Sequence, residues 1–333
     1  MFYVSRRPPL KLVSASEADQ RNTRAASGSM DFIMPGQQEH ISVCICTYKR
    51  PHFLKRLLQK LDVQQTEGLF DFSIVVLDND REESAKQTVA EFSKGSSIET
   101  SYLMEPTPSF ALARNKVVGN TRGDYLAFID DDEFPADDWL LTMLKTCKSH
   151  GVAGVLGPVL PHFEAEPPRW LVKGGFYDRP RHETGFAMGW QESRTGNVLI
   201  RRQIIEGMDA VFNPEFRMGG EDQDFFRRMM DKGHKFIWCD EAPAYETVPP
   251  HRWERKFLLK RALLRGKTTF RHPKNRARNI AKSLIAVPLY LVALPFLLLI
   301  GHHLFVKYLV KLCDHGGRLL ALMNLNPVKE RNN

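Results

Sequence analysis

The residues of this chain best equipped for chemistry are four consecutive acids, Asp130-Asp131-Asp132-Glu133, which close the short apolar run Tyr125-Leu126-Ala127-Phe128-Ile129. Gly123 before the run and Pro135 after the acids predict a buried strand whose carboxyl end reaches a surface. A strand tip is a rigid mount, and Asp130 and Asp132 project from the same side of an extended chain. Crowded carboxylates repel one another; a hard divalent cation relieves this by taking oxygen ligands, often including those of a substrate phosphate. The competing possibility is a solvated acidic turn that caps the next helix.

A second acidic pair, Glu221-Asp222, follows Gly219-Gly220, whose backbone freedom lets a loop pass close to a substrate. Phe225, Phe226, Met229 and Met230 then mark the buried stripe of a helix that stops at Gly233. A carboxylate held there suits general-base removal of a proton from an attacking hydroxyl. Taken by itself, the pair equally suits a helix amino terminus, where negative charge gains about 0.3–1 kcal/mol.

The elements that must position these groups alternate regularly. A strand over residues 41–46 stops at Thr47-Tyr48-Lys49-Arg50-Pro51 and is followed by Leu54, Leu57, Leu58 and Leu61 at helical spacing. A second strand over 72–77 ends in Asp78-Asn79-Asp80, and Ala85, Val89 and Phe92 set up the next helix. A weaker strand near 98–103 and a helix over 110–120, carrying Arg114 and Asn115, lead into the strand that ends in the acids. This order predicts an α/β fold with a doubly wound, mostly parallel sheet. Ligands of such sheets sit beyond the carboxyl ends of the strands. Three strands deliver polar groups to that edge: Thr47/Tyr48, Asp78/Asp80 and Asp130/Asp132. An Asp at the tip of the second strand can accept hydrogen bonds from a ribose or a base. No GxGxxG follows the first strand, so a diphosphate there needs another source of positive charge, such as a cation on Asp130 and Asp132.

In this order, Val43-Cys44-Ile45-Cys46-Thr47-Tyr48-Lys49-Arg50, Leu77-Asp78-Asn79-Asp80, Ala113-Arg114-Asn115, the run 128–133 and Gly220-Glu221-Asp222-Gln223-Asp224 resemble the motifs of glycosyltransferase family 2, inverting enzymes with the GT-A fold. The resemblance spans residues 41–266 and, through Val248-Pro249-Pro250-His251-Arg252 and the basic stretch after it, extends to bacterial transferases of exopolysaccharide assembly. It implies that Thr47, Tyr48 and Arg50 lie along the nucleotide, that Asp78 with Asp80 meets the base or ribose, and that Arg114 lies near the uracil. Asp130 and Asp132 match the DxD pair, with Asp132 the usual metal ligand; the run of acids leaves the register open by one, to Asp131. Asp222 matches the catalytic base, with Glu221 beside it, and Asn197 in Thr195-Gly196-Asn197 matches the segment lining the donor sugar. His251 and Arg252 match residues that close over the diphosphate, where an imidazole can complete a metal shell. The QxxRW box of processive synthases is absent, which favours transfer of a single sugar. The family implies a nucleotide-sugar donor, with UDP-sugars the first candidates, a saccharide or lipid-linked acceptor, and Mn²⁺ or Mg²⁺ as cofactor.

Bulk properties fit an enzyme with one special region. At 333 residues, 43% hydrophobic and 26% charged, the chain is globular in composition. Five cysteines, odd in number and without a CxxC pair, suit reduced thiols in a cytosolic protein. No secretory signal is visible, and residues 1–38 read as a flexible tail before a catalytic domain over 39–250. The formal charge of +8 is local: residues 252–282 hold twelve Lys or Arg against Glu254, a surplus of 11, which leaves −3 for the rest. Such a patch suits nucleic acid or anionic lipid; aromatic interleaving is sparse, so no nucleic acid is expected.

The basic helical segment (251–282) leads into residues 283–333, where 284–301 carry no charge and are long enough to span a bilayer. Pro288 and Pro295 interrupt the run, and basic residues flank it on both sides, which favours a re-entrant or interfacial segment over a single pass, on the cytoplasmic face of the inner membrane. Leu304, Tyr308, Leu309 and Leu312 continue as an amphipathic helix, and truncation before Ser283 is expected to release a soluble enzyme. Among the aromatic residues of 158–190, packing is expected for most of Trp170, Phe176, Tyr177 and Trp190. The alternatives are a nucleotidyltransferase, which needs a Gly- and Lys-rich phosphate loop that the first turn lacks, and a non-catalytic membrane-associated scaffold, against which the intact acids stand.

Overall fold

The first strand, β1 (Glu39–Thr47), sends its side chains alternately to two cores: Ile41, Val43 and Ile45 to one, Cys44 to the other. This period-two burial on both faces is what a central strand of an α/β sheet requires. A computed structural model of the chain describes residues 38–216, 219–271, 276–323 and 325. The expected tail, apart from Gln38, lies outside them.

Pro51 opens α1 (Pro51–Leu61), where its missing N–H costs nothing, and Leu54, Leu57, Leu58 and Leu61 bury one stripe against the sheet. β2 (Phe70–Asp78), α2 (Lys86–Gly95), β3 (Thr100–Met104) and α3 (Phe110–Gly119) follow, α3 being capped by Ser109, whose hydroxyl accepts from Leu112 N–H. β4 (Tyr125–Ile129) is fully buried, and directly after the acids comes the short β5 (Glu133–Pro135). α4 (Trp139–Ser149), β6 (Gly154–Leu156), β7 (Val159–His162) and α5 (Arg169–Gly174) precede β8 (Asn197–Arg201). α6 (Glu221–Asp231), β9 (Phe236–Trp238) and β10 (Ala244–Thr247) complete the sheets. Three helices remain: α7 (Arg255–Arg271), α8 (Arg276–Ile300) and α9 (His302–Leu322).

The main sheet has the order β3-β2-β1-β4-β8-β6-β9, with β8 antiparallel to both neighbours and the other pairs parallel. Helices α1 and α4 cover one face, α3 and α6 the other, which confirms the predicted α/β layering. The reversal of β8 matters for the site. Its pairing sets Ile129 opposite Asn197, so β8 brings its amino end, and not its carboxyl end, to the edge where β1, β2 and β4 finish. A second, small sheet, β5-β10-β7, which the sequence pattern does not announce, pairs Glu133 with Glu246 and folds β10 over the acids. Its strands have three or four residues each, too few for a period to register.

The carboxyl-terminal helices are not a detached region: the described residues from Gln38 onward form one unit. α8 runs unbroken through Lys282–Ser283, the boundary expected from charge, and Val310 of α9 packs with Leu171, Tyr177, Val248 and Leu258. Cutting before Ser283 would therefore also strip α9 from this cluster, so that truncation cannot separate solubility from folding. Trp170, Phe176 and Tyr177 pack as expected, Trp170 edge-on to Phe176 and to His302.

Candidate active site

The strand-tip acids are held by arginines from three directions. Thr47, the last residue of β1, donates its hydroxyl to Asp131 Oδ2 at 2.8 Å, and Arg50 Nη1 donates to Asp131 Oδ1 at 3.0 Å and to Asp132 Oδ2 at 3.1 Å. Arg252 Nη2 reaches the same Asp132 oxygen at 3.0 Å, while its Nη1 pairs with Glu246 at 3.2 Å. Lys49, in the left-handed region at φ 54°, carries the chain round this loop and pairs with Asp80 at 3.7 Å. Burial pushes the Asp131 carboxyl up to about 6 despite Arg50, and Glu133, more deeply enclosed, is raised well above the carboxylate range.

Asp130 differs from its neighbours: its side chain is 50% exposed and faces a cleft of about 470 Å³. Asp222 lines the same cleft, and so does Arg114, whose Nη2 lies 3.8 Å from Asp130 Oδ1 and whose Nη1 pairs with Glu221. The two acidic clusters, 92 positions apart by number, are thus joined through one guanidinium group. Glu221 is 3% exposed, and burial raises it to about 7 even with Arg114 beside it; its Oε2 has no hydrogen-bond partner among the described residues. Gly219 and Gly220, at φ 122° and 94°, make the turn into α6 that the glycine pair promised, and the Asp222 carboxylate accepts from Gln223 N–H at 2.7 Å.

Other expected site residues take quieter positions. Asp78 is fully enclosed and accepts from Asp80 N–H, Ala85 N–H and Tyr102 OH, so its observed part is to shape the loop after β2. Tyr48 is half-buried, with Lys49 over its ring. Asn197 borders the cleft, but its amide is engaged by the frame: Oδ1 accepts from Trp139 Nε1–H at 2.7 Å and Nδ2 donates to the carbonyls of Pro158 and Ala242. His251, expected near the cation, stands exposed beside the Phe257 ring; the 3₁₀ turn Pro250–Trp253 directs its neighbour Arg252 inward instead.

Two participants carried no sequence signal, and a third, Gly196, stood in the sequence only as the neighbour of Asn197. Arg179 lies in an irregular segment, pairs with Glu246 and lines the cleft. Glu246 became visible only through the pairing of β10 with β5. At Gly196 a Cβ would sit 3.0 Å from Glu133 Oε1 and 3.2 Å from Asp130 Oδ2, so a side chain there would press on the ends of both carboxylates.

Among the described residues, no three His, Cys, Asp or Glu side chains converge as a ready cation cage. The donors present are hard carboxylate oxygens: Asp130, open to the cleft, and Asp132, one of whose oxygens is shared by two guanidinium groups. By type they suit Mg²⁺ or Mn²⁺ binding completed by substrate phosphate and water.

A mixed sheet that ends in an acid cluster, with a second carboxylate across a cleft, defines a glycosyltransferase of the GT-A fold. The comparisons agree: the chain belongs to glycosyl transferase family 2, whose model matches residues 42–208. It is 35% identical over 258 residues to the Succinoglycan biosynthesis protein ExoM of Rhizobium meliloti, covering 74% of this chain and 82% of that one. In fold it is similar to the mannosyltransferase PcManGT of Pyrobaculum calidifontis, solved with GDP-Man and Mn²⁺, at TM-score 0.57 and 14% identity over 87% of this chain and 88% of that one. It is also similar to S. aureus TarS 1-349, solved with UDP, at TM-score 0.50 and 15% identity over 86% and 90%.

Proposed function

We propose that this glycosyltransferase is an inverting, cation-assisted enzyme that moves one sugar from a nucleotide-sugar, first of all a UDP-sugar, to a hydroxyl of a saccharide or lipid-linked saccharide in cell-surface polysaccharide synthesis. The observation that carries the reading is the meeting of Asp130 and Asp222 in one cleft, with Arg114 between the clusters. Asp222 takes the proton of the acceptor hydroxyl as its oxygen attacks the anomeric carbon. The bond from that carbon to the diphosphate breaks with its electron pair, and the nucleoside diphosphate leaves from the opposite face, so the configuration inverts. A cation held by Asp130 and Asp132 would neutralise the departing diphosphate. Arg50 and Arg252, already at Asp132, lie where they can turn toward the same charge. The succinoglycan role named for the relative at 35% identity supports a polysaccharide acceptor. The basic and apolar carboxyl-terminal surface supports a peripheral seat on the cytoplasmic face of the membrane.

The test is nucleotide release by the full-length chain against UDP- and GDP-sugars with Mn²⁺ or Mg²⁺, with the anomeric configuration of the product read by NMR. Asp222→Asn is expected to lower turnover by about 10²–10⁴ while the donor still raises the thermal midpoint. A product of retained configuration, or an Asp222→Asn enzyme of full turnover, overturns the reading.

A further inference from the structure

α8 is long and apolar enough to cross a membrane, with a mean hydropathy of 2.5 over its most apolar 18 residues, yet it packs along α9, which is itself held to the catalytic body. Ile285, Leu289, Val292, Phe296 and Leu299 recur at steps of three and four along the middle of a bare face, 62–86% exposed, which Leu284, Leu291 and Leu298 widen on one side. The opposite side is covered by α9: Ser283 Oγ meets His315 Nδ1 at 3.0 Å, the Tyr290 ring lies 5.5 Å from that of Tyr308, and Leu294 is buried.

α9 in turn is fastened to the catalytic body along its length. At its start His302 touches Trp170 of α5, with ring centroids 5.6 Å apart. In the middle Val310 joins the cluster around Leu171 and Val248. Near its end, Gly317 against the Leu263 carbonyl and Gly266 against the Asp314 carbonyl let α9 and α7 cross backbone to backbone. Both ends of α8 therefore stay beside the same body. A spanning helix must carry one end about 30 Å from it, across the hydrocarbon.

Two further features suit a helix at the surface of a bilayer. Pro288 and Pro295 leave the carbonyls of Leu284 and Leu291 without helical partners, and both residues are more than half exposed. Water and head groups satisfy such carbonyls, whereas hydrocarbon does not. Residues 255–333 also hold sixteen Lys or Arg against Asp314 and Glu330, a surplus of 14. Asp314 is itself taken by Arg265 and Arg318. That field attracts an anionic surface and repels a second copy of the same face.

We infer that α8 is an in-plane lipid seat: its Ile285–Leu299 stripe sinks into the outer part of an anionic leaflet while its axis stays parallel to the membrane. This deepens the membrane placement proposed above, and it does not depend on the donor or acceptor chemistry. Arg261 of α7, the helix that α9 crosses, lines the cleft.

The test uses the full-length chain with Ile285→Cys, Val292→Cys or Leu299→Cys carrying an environment-sensitive fluorophore, with label on the five native cysteines measured on the unsubstituted chain. Vesicles of phosphatidylglycerol and phosphatidylcholine carry a nitroxide either near the head group or near the chain end. The in-plane seat gives all three positions the same shallow depth, and omitting phosphatidylglycerol weakens binding about tenfold or more. A spanning helix separates successive positions by about 10 Å and places Val292 deepest. That gradient, or three positions shielded from both quenchers on bound protein, overturns the seat. Nucleotide release on the same samples reports the catalytic proposal separately.

Discussion

The Nη2 of Arg114 lies 3.8 Å from Oδ1 of Asp130, while the other end of the same guanidinium pairs with Glu221, so one residue of α3 joins the strand-tip acids to the start of α6. Glu221 is buried and raised to about 7, hence it changes charge within the working range of an enzyme. When it takes a proton, Arg114 loses its near partner and is drawn toward Asp130, which loosens the register between Asp130 and Asp222. The expected outcome is an acidic limb in kcat/KM near pH 7 that moves to lower pH in Glu221→Gln, at reduced activity. The stability sign is opposite to that of an ordinary paired carboxylate. Because the folded pKa lies above the ordinary 4.5, the folded chain keeps a proton that the unfolded chain releases between about 4.5 and 7. Stability from this group thus falls as pH rises through that window, and denaturant titrations at its two ends should show a smaller drop for Glu221→Gln.

The proposed cation-assisted reaction predicts that Arg252 competes with the cation for Asp132. Its Nη2 holds Oδ2 at 3.0 Å in a site where both side chains are about nine-tenths buried. Arg252→Ala should tighten Mn²⁺ binding, read by the loss of the free-ion electron paramagnetic resonance signal, while raising the donor KM, because a guanidinium near the diphosphate is lost. Asp132 keeps Arg50, so the stability cost is about 1–3 kcal/mol. A cation affinity unchanged by Arg252→Ala rejects the competition.

Asn197 separates frame from specificity. Its amide satisfies the Trp139 indole and two carbonyls, all buried. Asn197→Ala leaves these groups without partners and should cost about 2–4 kcal/mol in denaturant unfolding, with the ranking of donor sugars unchanged. A shifted donor ranking at unaltered stability would assign the residue to the sugar instead.

The acids, the loop after β1 and the start of α6 are legible because each is a local signal: an apolar run ending in charge, a polar stretch between a strand and leucines at helical spacing, a glycine pair before a stripe. The first strands and helices were placed to within two or three residues for the same reason. What escaped were relations between distant segments. Pairing of Asp132 with Arg252 needs β10 laid against β5, and neither strand has enough residues to show a period. Nor can sequence reveal that Trp139 already holds the amide of Asn197, which also lines the cleft. Likewise, an uncharged apolar run says how long a helix can be but not which side a neighbour covers, so α8 and α9 looked like a separate membrane segment although α9 belongs to the core around Val248.

Two adjacent glycines of α9 test that packing with opposite signs. A Cβ on Gly317 would collide with the Leu263 carbonyl of α7, and relief requires moving a backbone, since no flexible side chain is there to yield. Gly317→Ala should therefore destabilise by about 1–3 kcal/mol and open the α7–α9 crossing, increasing hydrogen exchange in both helices. At Gly316 a Cβ would meet no described atom within 4 Å. Gly316→Ala removes only backbone freedom in mid-helix and should stabilise by about 0.5–1 kcal/mol. If the two substitutions shift the thermal midpoint in the same direction, α9 is not fastened to α7 at this crossing, and the attachment of the helical hairpin to the catalytic body falls with it.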